Sequence, residues 1–160
     1  MAKDKTAPDE IKVITRNRRA FHEYEILEKI ECGIVLVGTE VKTLRDGHCN
    51  LEDSYAHLNA GELWLLGCEI PEYSMGNRLN HKPKRDRKLL LHRREIDKFA
   101  GKATQKGFTL VPLQMYFKAG RAKIEIAIAK GKQLHDKRDS IKDRESKRDL
   151  ARAIATRRKS

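Results

Sequence analysis

Carboxylates crowd the first third of the chain: Glu23, Glu25, Glu28, Glu31, Glu40, Glu52 and Asp53. Acid–base or metal chemistry needs two such groups converging on one atom, and none of these forms a recognisable pair. Glu23 and Glu25 share one face of a strand, the ordinary place of an exposed partner for Lys or Arg. Ser54 and His57 lie three apart on a strand-like stretch and point to opposite faces, so they do not make a nucleophile and its base. No P-loop, nucleophile elbow or HExxH pattern is present. Cys32, Cys49 and Cys68 are widely spaced and lack CxxC or His-rich companions, so they read as buried or idle thiols in a reducing cytoplasm. The enzyme reading has no anchor, and no cofactor is implied.

The basic residues make a better case. Net charge is +12 and the pI is near 9.8. Such a balance points to a polyanion, because neutralising phosphates releases condensed counterions. From Lys130 to Ser160 there are twelve Lys/Arg against five Asp/Glu and no aromatic residue, which places seven of the net charges in the last thirty-one residues. Asn17, Arg18, Arg19 and His22 precede the first strand, and Lys82, Lys84, Arg85, Arg87 and Lys88 form a loop cluster. Arginine forks suit phosphate or stack on bases. Lys123 projects from the outer face of the last strand. His135 sits where the folded body gives way to the tail, with Asp136, Lys137 and Arg138 beside it; a histidine stacks on a nucleobase while its basic neighbours grip phosphate. A spanning helix needs about 18 apolar residues and no run approaches that, so a membrane partner is not expected.

The elements that must position these groups are mostly strands. Ala122, Ile124, Ile126 and Ile128 alternate with Lys123, Glu125, Ala127 and Ala129, the period-2 pattern of a strand with one buried face. Strand-like segments run over 22–30, 33–37, 54–59, 62–70, 109–117 and 121–129. Ala60-Gly61 and Ala119-Gly120 read as two-residue hairpins. Short helices are expected over 40–45 and 93–100, and a long loop from Pro71 to Arg87. The pattern implies a mainly β fold, an oligonucleotide-binding-type closed or partly closed antiparallel barrel over 16–130, after a flexible start at 1–15. Tyr24, Tyr55 and Trp64 fit its core. The tail, 131–160, has Leu134, Ile141, Leu150 and Ile154 as its large apolar residues, too few to offset the entropy of ordering it alone. It is expected to be disordered when free and helical against a polyanion.

Four motifs then combine: Gly38-Thr-Glu-Val-Lys-Thr-Leu-Arg45, Asn50-Leu-Glu-Asp-Ser-Tyr55, Arg87-Lys-Leu-Leu-Leu-His92 and Gly131-Lys-Gln-Leu-His-Asp-Lys-Arg138. In this order and spacing, from about Asn17 to the tail, they resemble the SsrA-binding (SmpB) family, bacterial partners of transfer-messenger RNA in trans-translation. The resemblance implies a non-enzymatic adaptor, a monomer of the cytoplasm. It binds the tRNA-like part of transfer-messenger RNA and, with elongation factor Tu, enters stalled ribosomes. It implies RNA-binding positions at Glu31, Leu90 and Lys123, with the region of Asn17, Arg19 and His22 also involved; Lys82, Arg85, Arg87 and Lys88 are added from the charge pattern. It implies that the tail becomes helical in an empty mRNA channel, with His135 stacking on a decoding-site base and Asp136, Lys137 and Arg138 supporting accommodation. Gly131, Lys132, Lys142, Arg144, Lys147, Arg148 and Arg152 complete the expected ribosomal contacts. Gln133 stands where the family commonly has a second lysine. The rival readings are a generic ribosomal or cold-shock-like barrel, disfavoured by only 6% aromatic residues, and a metal-dependent nuclease.

Overall fold

A computed structural model describes residues 10–105, 107–132 and 134–158. Seven strands and four helices follow in the order β1 (Ile11–Arg16), α1 (Arg18–Glu23), β2 (Tyr24–Ile34), α2 (Gly38–Arg45), β3 (Tyr55–Asn59), β4 (Glu62–Leu66), β5 (Arg87–Leu90), α3 (Arg93–Ala103), β6 (Phe108–Lys118), β7 (Arg121–Gly131) and α4 (Leu134–Arg158). All pairings are antiparallel. Strands β3, β4, β5, β2, β7 and β6 form a ring, closed by β6 pairing with both β7 and β3, and β1 adds to the far half of β6. The architecture is consistent with the expected oligonucleotide-binding-type barrel. The β3–β4 and β6–β7 hairpins turn at Ala60-Gly61 and Ala119-Gly120, where all four residues have positive φ, the backbone a two-residue turn needs to match strand twist.

Strand alternation packs the barrel. Ile124, Ile126 and Ile128 of β7 meet Leu63, Leu65, Leu89, Leu110 and Met115 in the main core, all essentially inaccessible. The opposite face of β7 is buried too in its second half. Ala127 and Ala129 join Val111 and Leu113 under Ala20 of α1 in a smaller second cluster. Alanine on that face admits a helix at close range, a meaning invisible in the alternation itself.

Asn17 is responsible for α1. Its Oδ1 accepts from the Ala20 N–H at 3.1 Å and caps the helix, while Nδ2 donates to Leu51 O at 3.1 Å and Pro112 O at 3.0 Å. Pro112 borders a register shift in β6, where its missing N–H breaks no ladder bond. The helix therefore replaces the strand expected from His22, and β2 starts at Tyr24 and runs unbroken to Ile34.

Other expectations are corrected as well. Ile11–Arg16 is a strand paired to Gln114–Lys118 rather than part of a flexible start; residues 1–9 lie outside the described ones. Arg87 and Lys88 belong to strand β5, not to a loop. Tyr55 is exposed and Tyr24 and Trp64 are partly buried, so none of the three is among the buried core residues, where Phe99 is the aromatic of the main cluster. The tail, expected to turn helical against a polyanion, is a continuous helix, α4, over Leu134–Arg158, with nearly all its described side chains exposed and so open to such a partner. Its Leu, Ala, Arg, Lys and Glu content has high intrinsic helix propensity, and pairs such as Asp149–Arg152 at 4.0 Å assist locally.

One ionic cluster fastens the barrel to the long 71–86 segment. Glu40 of α2 is fully buried and accepts from Arg87 Nε at 2.9 Å, Arg85 Nε at 3.1 Å, Arg85 Nη2 at 2.9 Å and the Val37 N–H at 3.0 Å. Arg87, equally buried, also donates to the Cys68, Pro83 and Arg85 carbonyls. Burial alone would raise the Glu40 carboxyl; the hydrogen bonds from Arg85 and Val37 and the charge of Arg87 overcome it and hold the group below the usual carboxylate range. Arg87→Ala leaves that charge without its buried partner and is expected to cost about 3–5 kcal/mol in urea unfolding. Arg85→Ala, at a partly exposed pair, is expected to cost about 1 kcal/mol or less. Because the Glu40 carboxyl is depressed on folding, its contribution is present above the ordinary glutamate range and is lost as pH falls through the lower folded value. Equal losses for the two variants would show that the buried contact is not the one that matters.

Candidate nucleic-acid interface

The register of three strands builds one exposed groove. Gly33 of β2 lies directly opposite Leu90 of β5 on one side and Lys123 of β7 on the other, and Glu31 is two residues back on the same face. Glycine keeps the centre open: a Cβ there would come to 3.1 Å from Leu90 Cβ, a tight contact that Leu90 would have to give way to. The absent side chain lets Leu90, which is half exposed, stand over the strand. Glu31, Gly33, Leu90, His92, Glu95 and Lys123 border a groove of about 380 Å³.

Glu31 is held rather than free. Its Oε2 accepts from the hydroxyl of Tyr116, and Oε1 lies 3.5 Å from Lys118 Nζ. The Tyr116 hydrogen bond is the main cause that keeps the Glu31 carboxyl below its usual range, with Lys118 and Lys123 adding to it against desolvation. Tyr116, itself buried, has its phenol pushed up by burial and by that same carboxylate. The groove therefore offers fixed anionic acceptors, one apolar wall and one ammonium. That mixture suits a base edge or ribose hydroxyl with one adjacent phosphate, whereas a run of phosphates would call for uniform positive charge.

The structure thus brings Glu31, Leu90 and Lys123 together and disperses the other expected contacts. Asn17 is 2% exposed and committed to capping α1, and Arg87 is 0% exposed and committed to Glu40, so neither side chain is free to meet a ligand. In this structure both serve the fold, for the common reason that a polar side chain buried in a barrel must spend its hydrogen bonds internally. Arg85 pairs with Glu40 and Lys88 with Glu62 at 2.7 Å, while Lys82 is exposed. Arg19 lies away from the groove on α1, bonded to Glu23 at 2.9 Å and Asp53 at 3.2 Å, beside a partly buried His22. Sequence reading named Glu40 without finding its role and missed Tyr116 and Lys118. Nothing in their local pattern announces them, because each matters through a partner at least 45 residues distant.

The tail leaves from the α1 side of the barrel. Gly131 pairs with Tyr24 at the end of β7; the Lys132 N–H donates to Glu23 O at 2.8 Å and its Nζ to Phe21 O at 3.2 Å. Helix α4 follows at once. Arg138, Lys142, Arg144, Lys147, Arg148 and Arg152 are exposed on it; Gln133 and the side chains of His135, Asp136 and Lys137 lie outside the described parts. Among the described residues no group of three His, Cys, Asp or Glu converges as a metal site, and no helix is long and apolar enough to cross a membrane.

Known proteins resemble the chain over most of its length. A family model described as SmpB protein matches residues 14–156. An SsrA-binding protein of Corynebacterium jeikeium is 55% identical over 145 residues, 91% of this chain and 79% of the relative. One of Carboxydothermus hydrogenoformans is 53% identical over 146 residues, covering 91% of this chain and 98% of the relative. A solved chain described as "tmRNA-SmpB: a journey to the center of the bacterial ribosome" superposes with a TM-score of 0.65 at 47% identity, over 80% of this chain and 87% of that one.

Tyr116→Phe removes the largest influence on the Glu31 carboxyl and is expected to move its titration upward, toward the ordinary glutamate value, in a carbon-detected NMR pH series. The stability that Glu31 contributes is lost as pH falls through its folded value, so the variant should lose it at a higher pH than the parent. An unmoved Glu31 titration would show that the phenol does not hold the carboxylate.

Proposed function

We propose, from the premise that this chain belongs to the SmpB family, that its barrel holds transfer-messenger RNA through the Gly33 groove and that its basic tail engages the ribosome. The protein is an RNA-binding adaptor of trans-translation. The observation that carries the choice of surface is the convergence of Glu31, Leu90 and Lys123 from three strands around one glycine. Those three positions are implied by the family resemblance and are far apart in sequence, and their meeting in one groove is what a single RNA contact requires.

The adaptor works without a reaction of its own. Lys123 supplies the phosphate contact, Leu90 an apolar surface for a base or sugar, and Glu31 a fixed acceptor for base or ribose donors. Charge contributes affinity without selectivity; the shape of the groove contributes the preference for one RNA. Arg19 and His22 add a second basic point near the root of the tail. The tail then tests whether the mRNA channel is vacant: mRNA in place excludes a cationic helix by like demand for the same space, and an empty channel offers ribosomal RNA phosphates to Lys142, Arg144, Lys147, Arg148 and Arg152. His135 stacks on a decoding-site base, with Asp136, Lys137 and Arg138 around it. Delivery with elongation factor Tu, action as a monomer in the cytoplasm, and the absence of catalysis complete the reading.

Affinity and function should separate. Transfer-messenger RNA is expected to be enriched selectively on the full chain from a bacterial lysate, and Lys123→Ala to weaken its binding by about tenfold while lowering the salt slope by about one phosphate's worth, ~0.9 log units per log unit of salt. Recovery of ribosomal and transfer RNA in proportion to abundance, or an unchanged slope, would refute the groove. Removing 134–160 should leave transfer-messenger RNA binding within a few-fold and abolish peptide tagging on stalled ribosomes. Normal tagging by the truncated chain would reduce the tail to a solubilising appendage.

A further inference from the structure

The segment between α2 and β3 crosses the segment after β4 through a single two-way bridge: the Asn50 N–H donates to Glu69 O at 2.9 Å and the Glu69 N–H to Asn50 O at 3.1 Å. The crossing sets Cys49 against Cys68, nineteen residues away, with the sulfurs 3.7 Å apart and either able to donate. Cys68 is fully buried and Cys49 is partly exposed. Both backbones are pinned. Arg87 Nη1 donates to the Cys68 carbonyl at 2.7 Å, and the bridge anchors the residue next to Cys49. Two thiols kept in contact by fixed backbone are an arrangement the RNA-binding role does not use.

We propose that Cys49 and Cys68 form a reversible oxidation site that closes to an intramolecular disulfide when a hydroperoxide reaches Cys49. Cys49 donates to Cys68, whose thiol is held low by that hydrogen bond and by the Arg87 charge against burial, so Cys68 serves as the base that takes the Cys49 proton as the more exposed Cys49 sulfur meets the peroxide. That sulfur attacks the O–O bond of hydrogen peroxide, releases hydroxide and becomes a sulfenic acid. Cys68 then attacks the sulfenic sulfur and expels hydroxide, and the two hydroxides take up the two thiol protons as water. In sum, two thiols and one peroxide give one disulfide and two waters. Closing the sulfurs from contact to a bond takes a shift of under about 2 Å, within the reach of side-chain torsions. Cys32 is no competitor: it is 1% exposed and burial pushes its thiol up to about 12. The disulfide ties the start of the 71–86 segment to the chain ahead of β3, and none of Glu31, Leu90 and Lys123 lies on either piece. Reducing thiols restore the open pair, as fits a transient bond in a reducing compartment.

The test uses the full chain, treated with a small excess of hydrogen peroxide and alkylated after denaturation. Two of its three thiols should disappear, intact mass should fall by two hydrogens, and peptide mapping should join Cys49 to Cys68. The kinetics should be independent of protein concentration and reversed by dithiothreitol. The Cys32→Ala chain should behave identically, and Cys49→Ser should form no intramolecular bond. Three alkylatable thiols, a bond involving Cys32, an intermolecular dimer, or oxidation of Cys49 that halts at sulfinic acid would each overturn the proposal. The oxidised chain should also unfold at a higher temperature than the reduced one; a lower midpoint would mean the bond forms only by distorting the barrel and would likewise overturn it.

Discussion

The buried carboxylate of Glu40 is the constraint on which the working surface rests. An isolated charge in a barrel end would be expelled or neutralised, so its presence demands the two guanidinium groups and the backbone N–H that surround it. Those partners come from α2, from the base of the 71–86 segment and from the first residue of β5. Once Arg87 is turned inward to reach Glu40, alternation settles the rest of β5: Lys88 faces out, Leu89 enters the core and Leu90 faces out over Gly33. The Gly33 groove is thus positioned by an ion pair that lies outside it.

This changes the meaning of the basic charge. Many of the positive groups in the barrel are engaged with acids of the chain itself: Arg19 with Glu23 and Asp53, Lys88 with Glu62, Lys98 and Lys102 with Glu28, Arg85 and Arg87 with Glu40. The carboxylates that look like candidate catalytic groups in sequence are, for the most part, the counter-charges of these pairs. The excess of positive charge is concentrated in α4, which has an open length of helix and little packing to hold it to the barrel. A packed barrel and a charged, exposed helix need different physics, and the chain divides them at Gly131 and Lys132.

The point of division is itself organised by α1. Asn17 turns the chain out of β1 and starts the helix; Ala20 seats it on Ala127 and Ala129; its last carbonyls receive both donors of Lys132. A helix of six residues would not persist alone, since nucleation costs more than so short a run returns. It exists because the far half of β7 presents alanines and because β6 shifts register after Pro112, whose carbonyl receives Asn17. The tail's direction of exit follows from that packing rather than from anything in the tail.

The amino-acid sequence by itself determined the class of fold, the two hairpin turns, the inner face of β7 and the separation of barrel from basic tail. These are local properties: period-2 alternation, turn residues and composition act over a few positions and survive any tertiary arrangement. Its four motifs also identified the family. Tertiary structure decided what no local pattern encodes. Asn17 and Arg87, polar and plausible as contacts, turned inward because the barrel had orphan carbonyls and a buried carboxylate for them. Tyr116, unremarkable in a hydrophobic strand, became the holder of Glu31 because β6 and β2 flank the same strand. Cys49 and Cys68 came into contact through one bridge between irregular segments. In each case the partner lies between 19 and 95 residues away, and only closure of the ring brings such residues within reach of a hydrogen bond.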